Sequence, residues 1–400
     1  MRVVFTAQSE YSHLMPVVVP VAQAARRAGH EVAVAVGPNL VAQVHDLGLQ
    51  VLPLPNVVRL GEMRDDPEIA RRYGIDMSML TGVGLRTVGT PGAVAARNFA
   101  GPAALPYAQD LIEALTQWKP DLLVHEPTAF GAYYAAEALG LSRAVLDISP
   151  LTPRDPEALL AEINTQRQAL DLAPTGDPDD LMRTTVAGVV PEQFYPVRRR
   201  VPGARYYRPE LLPTGQRLDP AVAALPGDRP LVLASLGSVA AKLLAGDSPV
   251  LNTIVEVLGE LPVTAVVALG KDVDPRDWPG SRPDNVHLTS FVQQQLLLPA
   301  CELFLTHGGF SGVRESLNAG VPTVVVPLFA EQPANADRLV ELGLGTRLNV
   351  EDVDHASLTA ACRTVLADPG YRSRAKAVQR QFLALPDFDQ LVADLATRFG

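Results

Sequence analysis

Cysteine is nearly absent from this 400-residue sequence: Cys301 and Cys362 are the only two. A disulfide framework and a cysteine-rich zinc site are therefore excluded, and a reducing, cytoplasmic setting is expected. Lysine is almost as scarce, supplying four of the 34 basic residues against 44 acidic ones, for a net charge of −10. No block of five like charges occurs, so the chain lacks the basic face that a nucleic acid or an anionic lipid surface requires. No uninterrupted apolar run approaches the ~20 residues of a membrane span. Met1 leads straight into the strand-like Arg2–Thr6, without the charged and apolar regions of a secretory signal. What the chain does have is core material: 47% of its residues are apolar and 20% charged, enough for two large domains.

Short β-branched runs alternate with helical stretches, the pattern of parallel sheets covered by helices. One series holds strand candidates at 3–6, 31–36, 121–125 and 143–146. A second begins at 230–235 and continues through 263–267, 285–288, 303–306 and 322–326. A polar stretch punctuated by Pro and Gly separates the two. The expected organisation is a Rossmann-like domain at 1–215, a linker at 216–229 and a second Rossmann-like domain at 230–380. A terminal helix at 381–400 is expected to pack back on the first domain. Ligands of such sheets bind at the carboxyl ends of the strands. Between Pro55 and Pro106 no clean strand is found, and three of the six methionines, Met63, Met77 and Met79, fall there. Flexible thioethers suit either a pocket for a bulky apolar ligand or an irregular core.

Several chemistries lack their motif. The turn after the first strand, Ala7 to His13, contains no glycine, which excludes the dinucleotide fingerprint. There is no P-loop, no His-Glu-x-x-His and no Cys-x-x-Cys, and Ser311 lacks the second glycine of a nucleophile elbow. The strongest local signal is Leu303-Phe-Leu-Thr-His307-Gly308-Gly309-Phe310-Ser311-Gly312-Val-Arg-Glu315. It predicts a strand, a glycine-bearing turn and a helix start whose unpaired N–H groups suit a diphosphate. Phe291-Val292-Gln293-Gln294 precedes it, and Glu331-Gln332-Pro-Ala-Asn335 follows.

This array resembles the nucleotide-sugar signature of family 1 inverting glycosyltransferases of GT-B fold, in the flavour of bacterial macrolide and antibiotic glycosyltransferases. The resemblance extends to Ser12-His13-Leu-Met-Pro16, to Pro120-Asp-Leu-Leu-Val-His125-Glu126 and to Ser235-Leu-Gly237-Ser238. It implies an α/β fold of two Rossmann-like domains facing a central cleft. It assigns Phe291 to base stacking, Val292 to the base edge and Glu315 to the ribose hydroxyls, with Gln294 in the same donor site. His307, Gly309, Ser311, Gly312, Gly237 and Ser238 fall on the diphosphate, and Glu331 with Gln332 on the sugar hydroxyls. Phe291 stands where the family has Trp, Gln293 where it has Pro, and Glu331 where it has Asp.

The resemblance also places a catalytic base at His13, with its orienting carboxylate at Glu126 or a rival partner in His125. It implies a UDP- or dTDP-sugar donor, no metal, no further cofactor and an apolar small-molecule acceptor; a homodimer is compatible with it. Segment 57–106, with Phe130, Tyr133 and Tyr134, is expected to shape the acceptor pocket. Two rival readings stay open, a nucleotide-sugar epimerase of the same fold and a non-catalytic nucleotide-sugar-binding partner protein.

Overall fold

A computed structural model describes residues 1–59, 62–63, 66–74, 90–209, 217–237, 249–271 and 273–400. Met77, Met79 and Ser238 of the expected site lie outside these. The chain forms two compact units, one from the described residues of 1–209 with Leu385–Gly400, the other from those of 217–384.

The first unit carries a seven-stranded parallel sheet: β1 (Arg2–Thr6), β2 (Glu31–Val36), β3 (Gln50–Pro53), β4 (Leu122–His125), β5 (Arg143–Asp147), β6 (Thr185–Gly188) and β7 (Arg205–Tyr206). Its spatial order is β3-β2-β1-β4-β5-β6-β7. The second unit repeats the design with β8 (Leu231–Ser235), β9 (Thr264–Ala268), β10 (Val286–Thr289), β11 (Leu303–Thr306), β12 (Thr323–Val325) and β13 (Gly345–Arg347), ordered β10-β9-β8-β11-β12-β13. Strands covered on both faces read as continuous apolar runs. Val3, Val4 and Phe5 of β1 and Val232 and Leu233 of β8 are accordingly buried. In each sheet the order reverses between its first and fourth strands in sequence, where β1 pairs with β4 and β8 with β11. That reversal opens a crevice at the strands' carboxyl ends, the place where open α/β sheets bind ligands.

Strands β3, β6, β7 and β13 escape the sequence pattern. They are two to four residues long, and only their parallel partners define them. The stretch expected as a linker carries a short helix, Pro220–Ala223. Its Val222 is buried in the second unit's core beside Leu233 and Val266, so this stretch is part of that unit. The helix Pro369–Leu383 also stays there, whereas Phe388–Phe399 belongs to the first unit. Phe388, Leu391, Val392 and Leu395 fall on one stripe and are buried. Asp394 of that helix accepts from the Tyr207 hydroxyl at 2.6 Å and from Arg205 at 2.7 Å.

The segment without strands is helical where described, over Pro67–Tyr73 and Pro91–Ala100. After β1 the chain enters its helix in stages. A turn at Tyr11–His13 opens into a wider π turn at Leu14–Val18 before the α-helix Val19–Arg27. Pro16 and Pro20 offer no N–H and disturb the usual i→i−4 ladder, which favours the wider turn directly after His13.

Candidate functional site

In the first unit the loop after β1 delivers His13 and the end of β4 delivers Glu126, so both sit at the carboxyl-end reversal. His13 Nδ1 lies 3.2 Å from Glu126 Oε1. The ring is 23% exposed while the carboxylate is fully buried. Burial is the largest single influence on Glu126 and works to raise its pKa. The charge and hydrogen bond of His13, with the hydroxyl and backbone N–H of Thr128, outweigh it and hold the carboxyl below its usual range. Each oxygen is multiply satisfied. Oε1 accepts from the Gln8 backbone N–H at 3.2 Å and the Thr128 hydroxyl at 2.6 Å; Oε2 accepts from the Thr128 backbone N–H at 2.6 Å. The glutamate's extra methylene is thus accommodated by folding the carboxylate back against Thr128.

His125, the rival partner, takes no part. It is completely buried, its Nδ1 pairs with the Glu126 carbonyl at 3.0 Å, and burial pushes its pKa down to about 4. Sequence reasoning missed Thr128 and Gln8, which bear no signal of their own until β1 and β4 are paired.

Gln8 also links this pair to a small hollow of about 20 Å³, room for about one water molecule, lined by Gln8, Val57, Met63, Asn98, Phe99 and Tyr107 among others. The Gln8 side chain donates to the Thr128 carbonyl at 2.7 Å, tying the hollow's wall to the loop that holds Glu126. Met63 borders this hollow but is buried, in a core cluster with Ala70. Phe130, Tyr133 and Tyr134 require correction: they are core. Tyr133 and Tyr134 are completely buried and Phe130 nearly so, packed against Ala100, Ile163 and Leu181. Their helix Phe130–Leu139 is buried nearly all round, so aromatic content there reports packing. The Tyr133 hydroxyl bonds Asp180 and Arg167, and that of Tyr134 the Ala100 carbonyl, so neither is directed to an acceptor.

In the second unit the equivalent reversal holds Gly237 after β8 and His307 after β11. The His307 ring is partly exposed, but its Nδ1 is shielded from solvent. Burial pushes its pKa down to about 4, against the opposing effect of the Ser235 backbone. Two glycines make room for the ring. A Cβ on Gly237, whose φ is +77°, would lie 2.6 Å from His307 Cε1, and one on Gly309 would collide with Nε2. Gly309 caps the helix Phe310–Ala319 with no side-chain bond, leaving N–H groups of the first turn without intrahelical partners. Ser311 and Gly312 lie in that turn. A Cβ on Gly312 would make only ordinary contacts, the nearest 3.4 Å from Phe304, so the glycine there is not a steric requirement.

The residues expected at the base and ribose form a second cluster. Phe291 is 50% exposed, with the Lys271 ammonium 4.9 Å from its ring centroid. Val292 is buried, and its carbonyl accepts from the Gln294 backbone N–H at 2.8 Å. Glu315 is gripped by two amides, Gln294 Nε2 at 2.6 Å and Gln295 Nε2 at 2.9 Å. Gln294 therefore acts on the carboxylate assigned to the ribose, and Gln295 is an addition that the sequence did not disclose. Glu331 Oε1 accepts from the Phe310 N–H at 3.4 Å, at the start of the same helix. Gln332 departs from expectation: it is buried, and its carbonyl oxygen accepts from the Leu328 and Phe329 N–H groups. That oxygen holds the loop together and is not turned outward to a sugar. Ala330, next to Glu331, has a φ of +56°, a left-handed conformation unusual for a residue with a Cβ. Among the described residues no group of three His, Cys, Asp or Glu side chains is arranged to hold a metal ion, and no helix is long and apolar enough to cross a membrane.

Comparison with known proteins identifies the family and the fold. Residues 250–397 match the C-terminal domain, and residues 23–152 the N-terminal domain, of the erythromycin biosynthesis protein CIII-like family, together more than two thirds of the chain. Tylactone mycaminosyltransferase of Streptomyces fradiae is 28% identical, over 99% of this chain and 92% of its own length. Among solved structures, the glycotransferase of kitacinnamycin matches with a TM-score of 0.77 at 23% identity, covering 100% of this chain and 99% of that one. The spinosyn rhamnosyltransferase complexed with thymidine diphosphate matches with a TM-score of 0.76 at 22% identity, covering 99% and 100%. The fold is that of the GT-B glycosyltransferases.

Proposed function

The chain belongs to the erythromycin biosynthesis protein CIII-like family of glycosyltransferases, and on that premise we propose an inverting transfer in which His13 is the general base. The donor is a UDP- or dTDP-sugar carrying a hexose or deoxyhexose. The acceptor is a hydroxyl of an apolar natural product. The observation that carries this reading is the His13–Glu126 contact, a partly exposed imidazole against a fully buried carboxylate kept below its usual pKa.

The chemistry follows from that contact. A carboxylate facing Nδ1 favours the tautomer with its proton there, which leaves Nε2 with the lone pair. As the acceptor oxygen attacks the anomeric carbon, Nε2 takes its proton and Glu126 stabilises the imidazolium. The bond from the anomeric carbon to the phosphate oxygen breaks on the opposite face, and its electron pair leaves with the nucleoside diphosphate. His307, neutral near pH 7, donates an N–H to a phosphate oxygen, and the helix start at Gly309 to Gly312 supplies further donors. The leaving group gains negative charge, so these donors bind the transition state better than the donor sugar, and that difference accelerates transfer. Neither a metal nor a further cofactor is needed in this scheme. The acceptor natural product is a polyketide, macrolide or aromatic alcohol. A cytoplasmic setting keeps the buried Cys301 and Cys362 as thiols.

Calorimetric titration with UDP and dTDP, with His307→Ala beside the unaltered protein, tests the donor half of the reading. Micromolar binding of one nucleotide is expected, weakened about tenfold in the variant, the equivalent of about 1.4 kcal/mol. Turnover against an acceptor panel should be unchanged by a chelator. Failure to bind either nucleotide would overturn the proposal in favour of a protein that no longer handles nucleotide sugars.

A further inference from the structure

We propose that Thr128 is a positioning residue for the base, joining His13 and Glu126 in a three-membered unit; this rests on the reading of His13 given above. Thr128 is 4% exposed and stands in the loop between β4 and the helix Phe130–Leu139. Its hydroxyl oxygen lies 2.6 Å and 2.9 Å from the two oxygens of Glu126 and 3.4 Å from His13 Nδ1. Its backbone N–H separately holds Glu126 Oε2 at 2.6 Å. The loop cannot drift easily, because the Thr128 carbonyl accepts from the Gln8 side chain at 2.7 Å and from the Phe130 N–H at 2.9 Å.

A hydroxyl has one hydrogen and two lone pairs. With two carboxylate oxygens this close, the hydrogen goes to Glu126, and a lone pair remains for His13. The Nδ1 proton is thus shared between Glu126 Oε1 at 3.2 Å and Thr128 Oγ1. Both acceptors favour the same tautomer, with Nε2 free of hydrogen. A glutamate has one more rotatable bond than an aspartate and so more ways to miss the ring. Thr128 removes that freedom by gripping both oxygens from one β-branched side chain, whose own χ1 is stiff. Gln8 contributes a fourth contact through its backbone.

The group is surrounded by other titratable side chains. His125 and Tyr107 are buried and neutral near pH 7, and burial pushes Asp147 up to about 6. A pH profile must therefore be compared between variants and not assigned from one curve.

Thr128→Val keeps the shape and the backbone N–H but removes the hydroxyl. Expected are a fall in kcat of about 10- to 100-fold, little change in KM for either substrate, and a displaced acid limb of kcat/KM, because the carboxylate loses a donor and the ring an acceptor. Thr128→Ser should restore activity to within a few-fold. In a Glu126→Gln background the valine change should add little, because both act through one unit. Thr128→Ala carries the same comparison if the valine form does not fold. Full activity in the hydroxyl-free variants, a loss confined to KM, or a loss equally large beside Glu126→Gln would overturn the proposal. Unchanged turnover in His13→Ala would instead overturn the reading of the base, so the two failures are distinct.

Discussion

The two units use one sheet order and one crevice for opposite electrostatic ends. At the reversal beside β1 and β4, an exposed edge of His13 is backed by a buried carboxylate held below its usual range. At the reversal beside β8 and β11, His307 has no carboxylate, two glycines against its faces and a pKa pushed down to about 4. The first arrangement favours a ring that takes up a proton. The second favours a ring that stays neutral and donates one hydrogen bond. What separates them is the residue opposite the histidine across the crevice: a carboxylate in one unit, a glycine in the other. The fold supplies the place, and one side chain decides the chemistry.

The largest effect that can break this contrast is on turnover. His13→Ala should lower kcat about 10²–10⁴-fold, the range for a positioned base, while leaving nucleotide affinity unchanged by calorimetry. Retained turnover would mean the two histidines are not divided as described. A smaller effect should come from Gly309→Ala. The backbone there, with φ −59° and ψ 142°, accepts alanine, so the only consequence of the new methyl is to press on His307. Nucleotide diphosphate affinity should fall about 10- to 100-fold, or about 1.4–2.7 kcal/mol, with little loss of thermal stability. Unaltered affinity would remove the cradle from the argument.

The smallest effect is on stability against acid. His307 and His125 have folded pKa values depressed to about 4, so the unfolded chain binds more protons than the folded one between about pH 6.5 and 4. Their stabilising contribution is complete above that window and is lost as pH falls through it. From pH 7 to 5 the partly exposed His307 should account for about 1–2 kcal/mol of that loss. Denaturation midpoints of His307→Gln should therefore fall less steeply over this range than those of the unaltered protein. An identical slope would mean that His307 is as easily protonated as a free imidazole.

Legibility followed from how local each signal is. The buried strands around both crevices were evident because a strand covered on both faces needs an unbroken apolar run, as at Glu31–Val36 and Leu303–Thr306. The short edge strands β7 and β13 were not, since two or three residues carry no periodicity. His307 and Gly309 lay in one stretch of chain and were readable together. His13 and Glu126 are 113 residues apart, and only the family resemblance paired them. Phe130, Tyr133 and Tyr134 were misjudged because large aromatics suit a pocket and a core equally well, and composition does not say which side of a helix is covered.

The sequence by itself determined the alternation of strands and helices, the two-unit organisation and the glycine-bearing turn at His307. These rest on periodicity and on residues adjacent along the chain. Only the tertiary structure decided that Thr128 and Gln8 hold Glu126, that Gln295 joins Gln294 on Glu315, that Gln332 holds its own loop, and that Gly237 and Gly309 flank one ring. Each is a contact between segments brought side by side by parallel strands, and hydrogen bonds of that kind depend on distances of a few ångströms that no spacing along the chain specifies.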